Sequence, residues 1–220
     1  MTDASRAALR RTELTTTGSL AAIFALRMFG LFMLLPVFAV YGAELDGATP
    51  LLIGTAIGAY GLMQALLQIP FGMLSDRFGR RPLLLIGLLL FVIGGAVAAL
   101  SDSIHGVILG RALQGAGAIA SVIMALIGDV VSEQRRTRAM ALIGMAVGSS
   151  FILALILGPL LARWLGLSGL FWFTVVLGKS EVAHSRETSM PHGVKAVVLT
   201  RSPFLRESAL ALLRSLCADV

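Results

Sequence analysis

Five stretches of this chain, 19–41, 51–74, 82–100, 104–130 and 139–161, are long enough to cross a membrane and nearly free of ionisable side chains. A hydrocarbon core of ~30 Å takes about 20 apolar residues at a rise of ~1.5 Å each. The breaks between the runs are short and polar. Because lipid offers no hydrogen bonds, an open-ended segment must satisfy its own backbone, which helix does and an open sheet does not. The expectation is an all-α membrane protein. Composition agrees, with 57% of residues hydrophobic and 14% charged, against roughly a quarter charged in soluble domains. The single cysteine, Cys217, excludes an internal disulfide framework and a cysteine-based zinc cluster.

A net charge of +6 would suggest nucleic acid in a soluble chain. Here the positions of the arginines explain it better, since cytoplasmic loops hold the excess of basic residues. Residues 1–18 carry Arg6, Arg10 and Arg11 beside Asp3 and Glu13. No short apolar core with a small-residue cleavage site follows, so this segment is expected to be a cytoplasmic tail and not a signal peptide. The second-to-third connection holds Arg77, Arg80 and Arg81, and the fourth-to-fifth holds Arg135, Arg136 and Arg138. Connections 42–50 and 101–103 hold no basic residue, and the loop directly after the fifth run holds only Arg163. The N-terminus is therefore predicted inside, with the bilayer as partner and no nucleic acid.

A sixth apolar segment, 167–177, has eleven residues. As a helix it reaches only ~16 Å and cannot span alone. Residues 178–220 change texture and are expected to form a polar tail unrelated to 19–177. Its first part, Lys179-Ser-Glu-Val-Ala-His-Ser-Arg-Glu-Thr-Ser, reads as solvated with no buried face. Two readings compete for 203–220. Ser202 and Pro203 could start an interfacial helix striped by Leu205, Ala209, Leu212, Leu213 and Leu216. Alternatively, a frameshift near Gly178 produced sequence never selected to fold. The second is favoured, because such stripes arise easily by chance in Leu/Ala/Arg-rich sequence.

The sharpest local signal is Gly72-Met-Leu-Ser-Asp76-Arg77-Phe-Gly79-Arg80-Arg81-Pro82. Gly72 permits close helix approach, Gly79 permits a left-handed backbone in a tight reversal, and Pro82 suits a helix start. Asp76 offers an anionic acceptor, and the arginines hold the loop in the cytoplasm. The bland alternative is a generic basic loop. In the fourth run, Arg111, Gln114 and Gly115 share a face at i, i+3 and i+4, followed by Gly117. An intramembrane arginine costs about 2.5–3.5 kcal/mol on insertion scales, so Arg111 should face protein or water, unless it snorkels to the outer headgroups. Arg27 either snorkels inward or lines a cavity and meets an anionic group. Gln64 and Gln68, at i and i+4, either bond a neighbouring helix or touch substrate.

Gly54 with Gly58, Gly106 with Gly110, and Gly144 with Gly148 are spaced for close helix crossing. Gly158-Pro159 marks a kink candidate in the fifth run. Asp129 either pairs with Arg77 or Arg80 or is a solvated carboxylate at a helix end. No Asp or Glu lies within the first, second, third or fifth run, so a proton-carrying carboxylate must come from elsewhere. His105 reads as interfacial, and His184 and His192 fall in the tail. No metal set, cofactor motif, paired intramembrane carboxylates or nucleophile-base constellation argues for an enzyme.

The Gly72–Pro82 stretch resembles the signature loop of the major facilitator superfamily, and Arg111-x-x-Gln114-Gly115-x-Gly117 is similar to its fourth-helix motif. Gly158-Pro159 resembles its antiporter motif, although Ala162 and Arg163 replace the trailing glycines. Residues from about 16 to 177, including Leu26-Arg27-Met28-Phe29-Gly30 and Leu34-Leu35-Pro36-Val37, are similar to the drug:proton antiporter branch. The resemblance implies the N-terminal half of this transporter fold: five full transmembrane helices and a truncated sixth. It assigns Asp76 to a gate latch with Arg77 and Arg80 as ionic partners, and Asp129 to the same charge network. Arg111 is associated with proton coupling. The implied activity is secondary transport of a small solute, in a bacterial inner membrane, around a midplane site between two halves. The partner is then a C-terminal half or a second copy. An inactive remnant is the alternative.

Overall fold

The computed structural model describes residues 3–131 and 133–187, except for the side chains of 3–16, 130, 184, 186 and 187. The stripe proposed for 203–220, His192 and Cys217 lie outside the described residues. Six helices follow in order: α1 (Asp3–Tyr41), α2 (Pro50–Phe78), α3 (Arg80–Ala99), α4 (Ile104–Ala116), α5 (Ala120–Val130) and α6 (Glu133–Glu187). Together they give five helical spans long and apolar enough to cross a membrane, with α4 and α5 sharing the fourth. The fold is that of an all-α, multi-pass membrane protein.

Local chemistry sets the ends. Thr49 accepts a hydrogen bond from the Leu52 amide ahead of Pro50 at the first helical position, and Ser103 caps α4 by accepting from Gly106. Gly79 alone joins α2 to α3, at φ 95° and ψ 150°, a conformation that disfavours any residue with a Cβ. At the opposite end of the molecule the loops are clipped together, Asp46 N donating to Asp102 O and Ile104 N to Asp46 O.

Four boundaries differ from expectation. The helix of the first span begins at Asp3, because the Ala-, Arg- and Leu-rich segment before it has no proline to stop it. The fourth span is not continuous, because residues 117–119 interrupt it where Gly117 lies against the backbone of α3. The fifth and sixth apolar runs form two helical limbs of α6 that meet at a non-helical Gly166, at φ 66° and ψ −175°. The apolar run does end at Leu177, but the helix continues to Glu187. Its second limb, 167–187, is 21 residues by subtraction, or about 31 Å of helix. Residues 178–187 also have a buried face, contrary to the solvated reading. Leu170, Thr174, Gly178 and Glu181 are all buried, a spacing of three or four residues, while Lys179 and Ser180 are exposed. The spacing of small and apolar positions, and not average polarity, decides which face packs.

The apolar core has two parts. One gathers Leu20, Ile23, Leu84, Leu88, Ile119 and Ile123 toward the arginine-rich end, and the other gathers Met33, Leu34, Phe38, Ala98, Ile104 and Phe171 toward the opposite end. Along α3, α4 and the second limb of α6, the small and polar residues at 94–95, 110–117 and 174–181 fall between these two parts. The site is built in that middle layer.

Candidate functional site

At the arginine-rich end, Gly79 forces the reversal that sets Arg80 in the first turn of α3, back over the end of α2. Its guanidinium forms an ion pair with Asp76, donates from Nη1 to Ser75 Oγ at 2.6 Å, and donates from Nε to Asp129 Oδ2 at 3.0 Å. One cation therefore ties α2, α3 and α5. Of the two partners expected for Asp129, Arg80 is the one in contact. Arg77, expected beside Asp76, stacks instead over Phe78 with its guanidinium carbon 5.6 Å from the ring centre. Arg81 follows within the first turn of α3. Gly72 lies at the α2–α5 contact, but a Cβ there would meet Ser121 at an ordinary 3.6 Å. The close approach expected of that glycine does not require it. Arg136 reaches back to the carbonyl of Gly128 near the end of α5 at 3.0 Å.

Arg27 neither snorkels nor faces an open cavity. It is 1% exposed, and its Nη2 donates to the carbonyls of Gly117 and, at 3.3 Å, Gln114. Those carbonyls are in the last turn and at the C-cap of α4, where the break at 117–119 interrupts the helical ladder and leaves Gly117 O with only a tight-turn bond from Ile119 N at 2.8 Å. In lipid such acceptors must be met by protein. The guanidinium carbon also lies 4.7 Å from the centre of the Phe91 ring, a cation–π contact from α3. Arg27 is thus the cap of a broken transmembrane helix.

Arg111 is equally buried, 1% exposed, and shares a face with Gln114 as its spacing predicted. Its Nη1 donates to Gln114 Oε1 at 3.2 Å, and its guanidinium carbon sits 4.9 Å from the Tyr60 ring centre on α2. Gln114 Nε2 then contacts Thr174 Oγ1 on α6 at 3.4 Å, and that hydroxyl donates to Phe171 O at 2.8 Å. A polar chain therefore crosses from α2 through α4 to α6. Gln64 is half-buried on α2, its Oε1 without a partner among the described residues, as are Tyr60 Oη and Arg111 Nε. Gln68 is exposed, one turn further on.

The glycines of the fourth-helix motif serve contact. A Cβ at Gly115 would come within 2.2 Å of Tyr60 O, and one at Gly117 within 2.2 Å of Gly87 O. Gly158 meets α1 in the same way, a Cβ there falling 2.7 Å from Met33 O, and Pro159 beside it is exposed. The described break in α6 is at Gly166 and not at the proline. The sequence reading missed Tyr60, Phe91, Thr174 and Glu181. Tyr60 was within reach, since it extends the i, i+4 stripe of Gln64 and Gln68. Glu181, fully buried on the second limb of α6, was hidden by its polar neighbours.

Comparison with known proteins fits this arrangement. Residues 20–178 match the Major Facilitator Superfamily. The chain is 54% identical over 171 residues to the inner membrane transport protein YajR of Escherichia coli (strain K12), covering 78% of this chain and 38% of that protein. It is 44% identical over 165 residues to an uncharacterized transporter of Buchnera aphidicola, covering 75% of this chain and 42% of that one. The crystal structure of the human organic anion transporter MFSD10 (TETRAN) superposes with a TM-score of 0.65 at 24% identity, covering 79% of this chain and 46% of that one. The chain thus spans about two-fifths of the length of these sequence relatives. Signature hairpin, fourth-span motif and helix arrangement lead to one assignment: this chain belongs to the Major Facilitator Superfamily.

Proposed function

We propose that this chain is the N-terminal half of a proton-coupled antiporter of the drug:proton branch, held in a bacterial inner membrane with its N-terminus and the Asp76 hairpin in the cytoplasm. A small solute or drug-like molecule binds near the midplane against a second half, and rocking of the halves exposes it to each side in turn. The observation that carries this reading is an unequal distribution of burial. In the most apolar 18-residue stretch of each span, only 11% of residues on α2 and 17% on α6 are buried within the chain, against 50% on α1 and α3 and 61% on the fourth span. Leu62, Leu66 and Ile69 on α2 and Ile152 and Ile156 on α6 stand exposed. Tyr60 and Gln64 on α2 and Arg111 on α4 carry polar atoms without partners among the described residues, suited to a substrate and proton path. Asp76 and Arg80 serve as the latch against the second half, with Arg77, Arg81 and Asp129 in its charge network. Gly158 and Pro159 lie on the limb that would move.

Half a pocket does not transport. Vesicles holding the purified chain and a pH-sensitive dye should show no proton flux driven by a fluorescent lipophilic cation. Adding the C-terminal half of YajR should restore flux. Flux from the chain alone would favour a homodimer, which the same exposed faces could also form. No flux with the complementing half would leave an inactive remnant.

A further inference from the structure

Glu181 is 0% exposed, and neither of its carboxyl oxygens has a hydrogen-bond partner among the described residues. One nitrogen of Arg27, Nη1, is buried and unpartnered in the same sense. The helix register sets the two at the same depth. Position 30 of α1 abuts Thr174 and Leu177, and Gly178 abuts Phe91 and Val92, a Cβ there falling 2.7 Å from Val92 Cγ2. The second limb of α6 runs antiparallel to α1, so Arg27, one turn before Gly30, lies level with the turn holding Gly178 and Glu181. Phe91 touches both sides of this junction, stacking on Arg27 and packing near Gly178.

Beside Gly178, one turn before Glu181, α3 presents Phe91 and Val92, and the α4 carbonyls of Gln114 and Gly117 are bonded to Arg27. On α6 itself Lys179 is exposed, and His184 follows three residues on. A carboxylate in such surroundings, without a donor, gives up its charge or finds a cation.

We propose that Glu181 is an intramembrane proton-binding site read by Arg27. With the carboxyl protonated, Arg27 holds the α4 carbonyls through Nη2 and leaves Nη1 free. When the O–H bond breaks and the proton leaves to water, the carboxylate draws the guanidinium into an ion pair. The proton state of α6 is thereby tied to the joint between α4 and α5. This rests on burial and register alone and stands apart from the transport reading.

The test is infrared difference spectroscopy of the whole chain in lipid nanodiscs, titrated with pH in D2O. A protonated-carboxyl C=O band from a site shielded from water should be present at neutral pH and lost in Glu181→Gln. It should persist in Asp76→Asn, Asp129→Asn and His184→Ala. Arg27→Gln should change the pH at which the band disappears, and Glu181→Asp should retain a band at a shifted frequency. Circular dichroism and gel filtration establish that each variant folds. Survival of the band in Glu181→Gln overturns the proposal, as does its absence from the parent chain or indifference to Arg27→Gln. None of these results bears on vesicle flux with the complementing half.

Discussion

The seam between α3 and α4 and the open face of α2 carry the same sequence signal and use it in opposite ways. At the seam, a Cβ at Gly94 would lie 2.6 Å from Gly110 O, and one at Gly110 would lie 2.6 Å from Ala98 N. The backbones touch, and glycine is required. Gly54 and Gly58 on α2, and Gly144 and Gly148 on α6, have the same spacing, yet a Cβ at any of them meets nothing within 4 Å. Gly106 is intermediate, tight only against Ser101 in the preceding loop. Small-xxx-small spacing therefore says where helices can approach, and the occupant decides whether they do. One side of this bundle is packed within the chain, and the other stands open.

The contrast is strongest at Gly117. Gly117→Ala drives a methyl into the Gly87 carbonyl, where neither backbone can yield. Overpacking of this kind costs about 3 kcal/mol. The expected result is a large drop in the thermal midpoint in detergent, and a midpoint matching the parent would erase the distinction. Next in size is Arg27→Met, which removes the donor for Gln114 O and Gly117 O. Losing hydrogen bonds to a charged donor costs roughly 2 kcal/mol, and amide hydrogen exchange should rise around 113–123 before it rises elsewhere.

The smallest effect belongs to the open face. Gly54→Ala and Gly148→Ala should stabilise the isolated chain slightly, by about 0.5 kcal/mol, because alanine favours helix and nothing obstructs it. If a second half covers this face, the same substitutions should weaken its association, measured by co-purification. A loss of stability in the isolated chain would mean that the face is packed after all.

The spans and the hairpin were legible because hydropathy and arginine placement act residue by residue along the chain. Arg111 with Gln114 was legible because helical spacing fixes which side chains share a face. The partners of Arg27 were not, since they are backbone carbonyls 87 and 90 residues away. Those carbonyls lie at a break that carries no proline. Charge alone therefore left its choice between lipid interface and cavity open, and the answer was neither. The polar texture after Leu177 concealed a helix whose buried positions recur at the right interval, one of them an acid. Composition averages over faces, and a packed helix does not.

The joint at 117–119 has a mechanical consequence. A continuous rod resists bending because every hydrogen bond along its side must stretch together. A rod in two pieces, with carbonyls at the break gripped by a cation from a neighbour, can pivot without breaking any bond within either piece. Strain reaching the fourth span from either membrane surface will then collect at this elbow, with a single guanidinium as its pin.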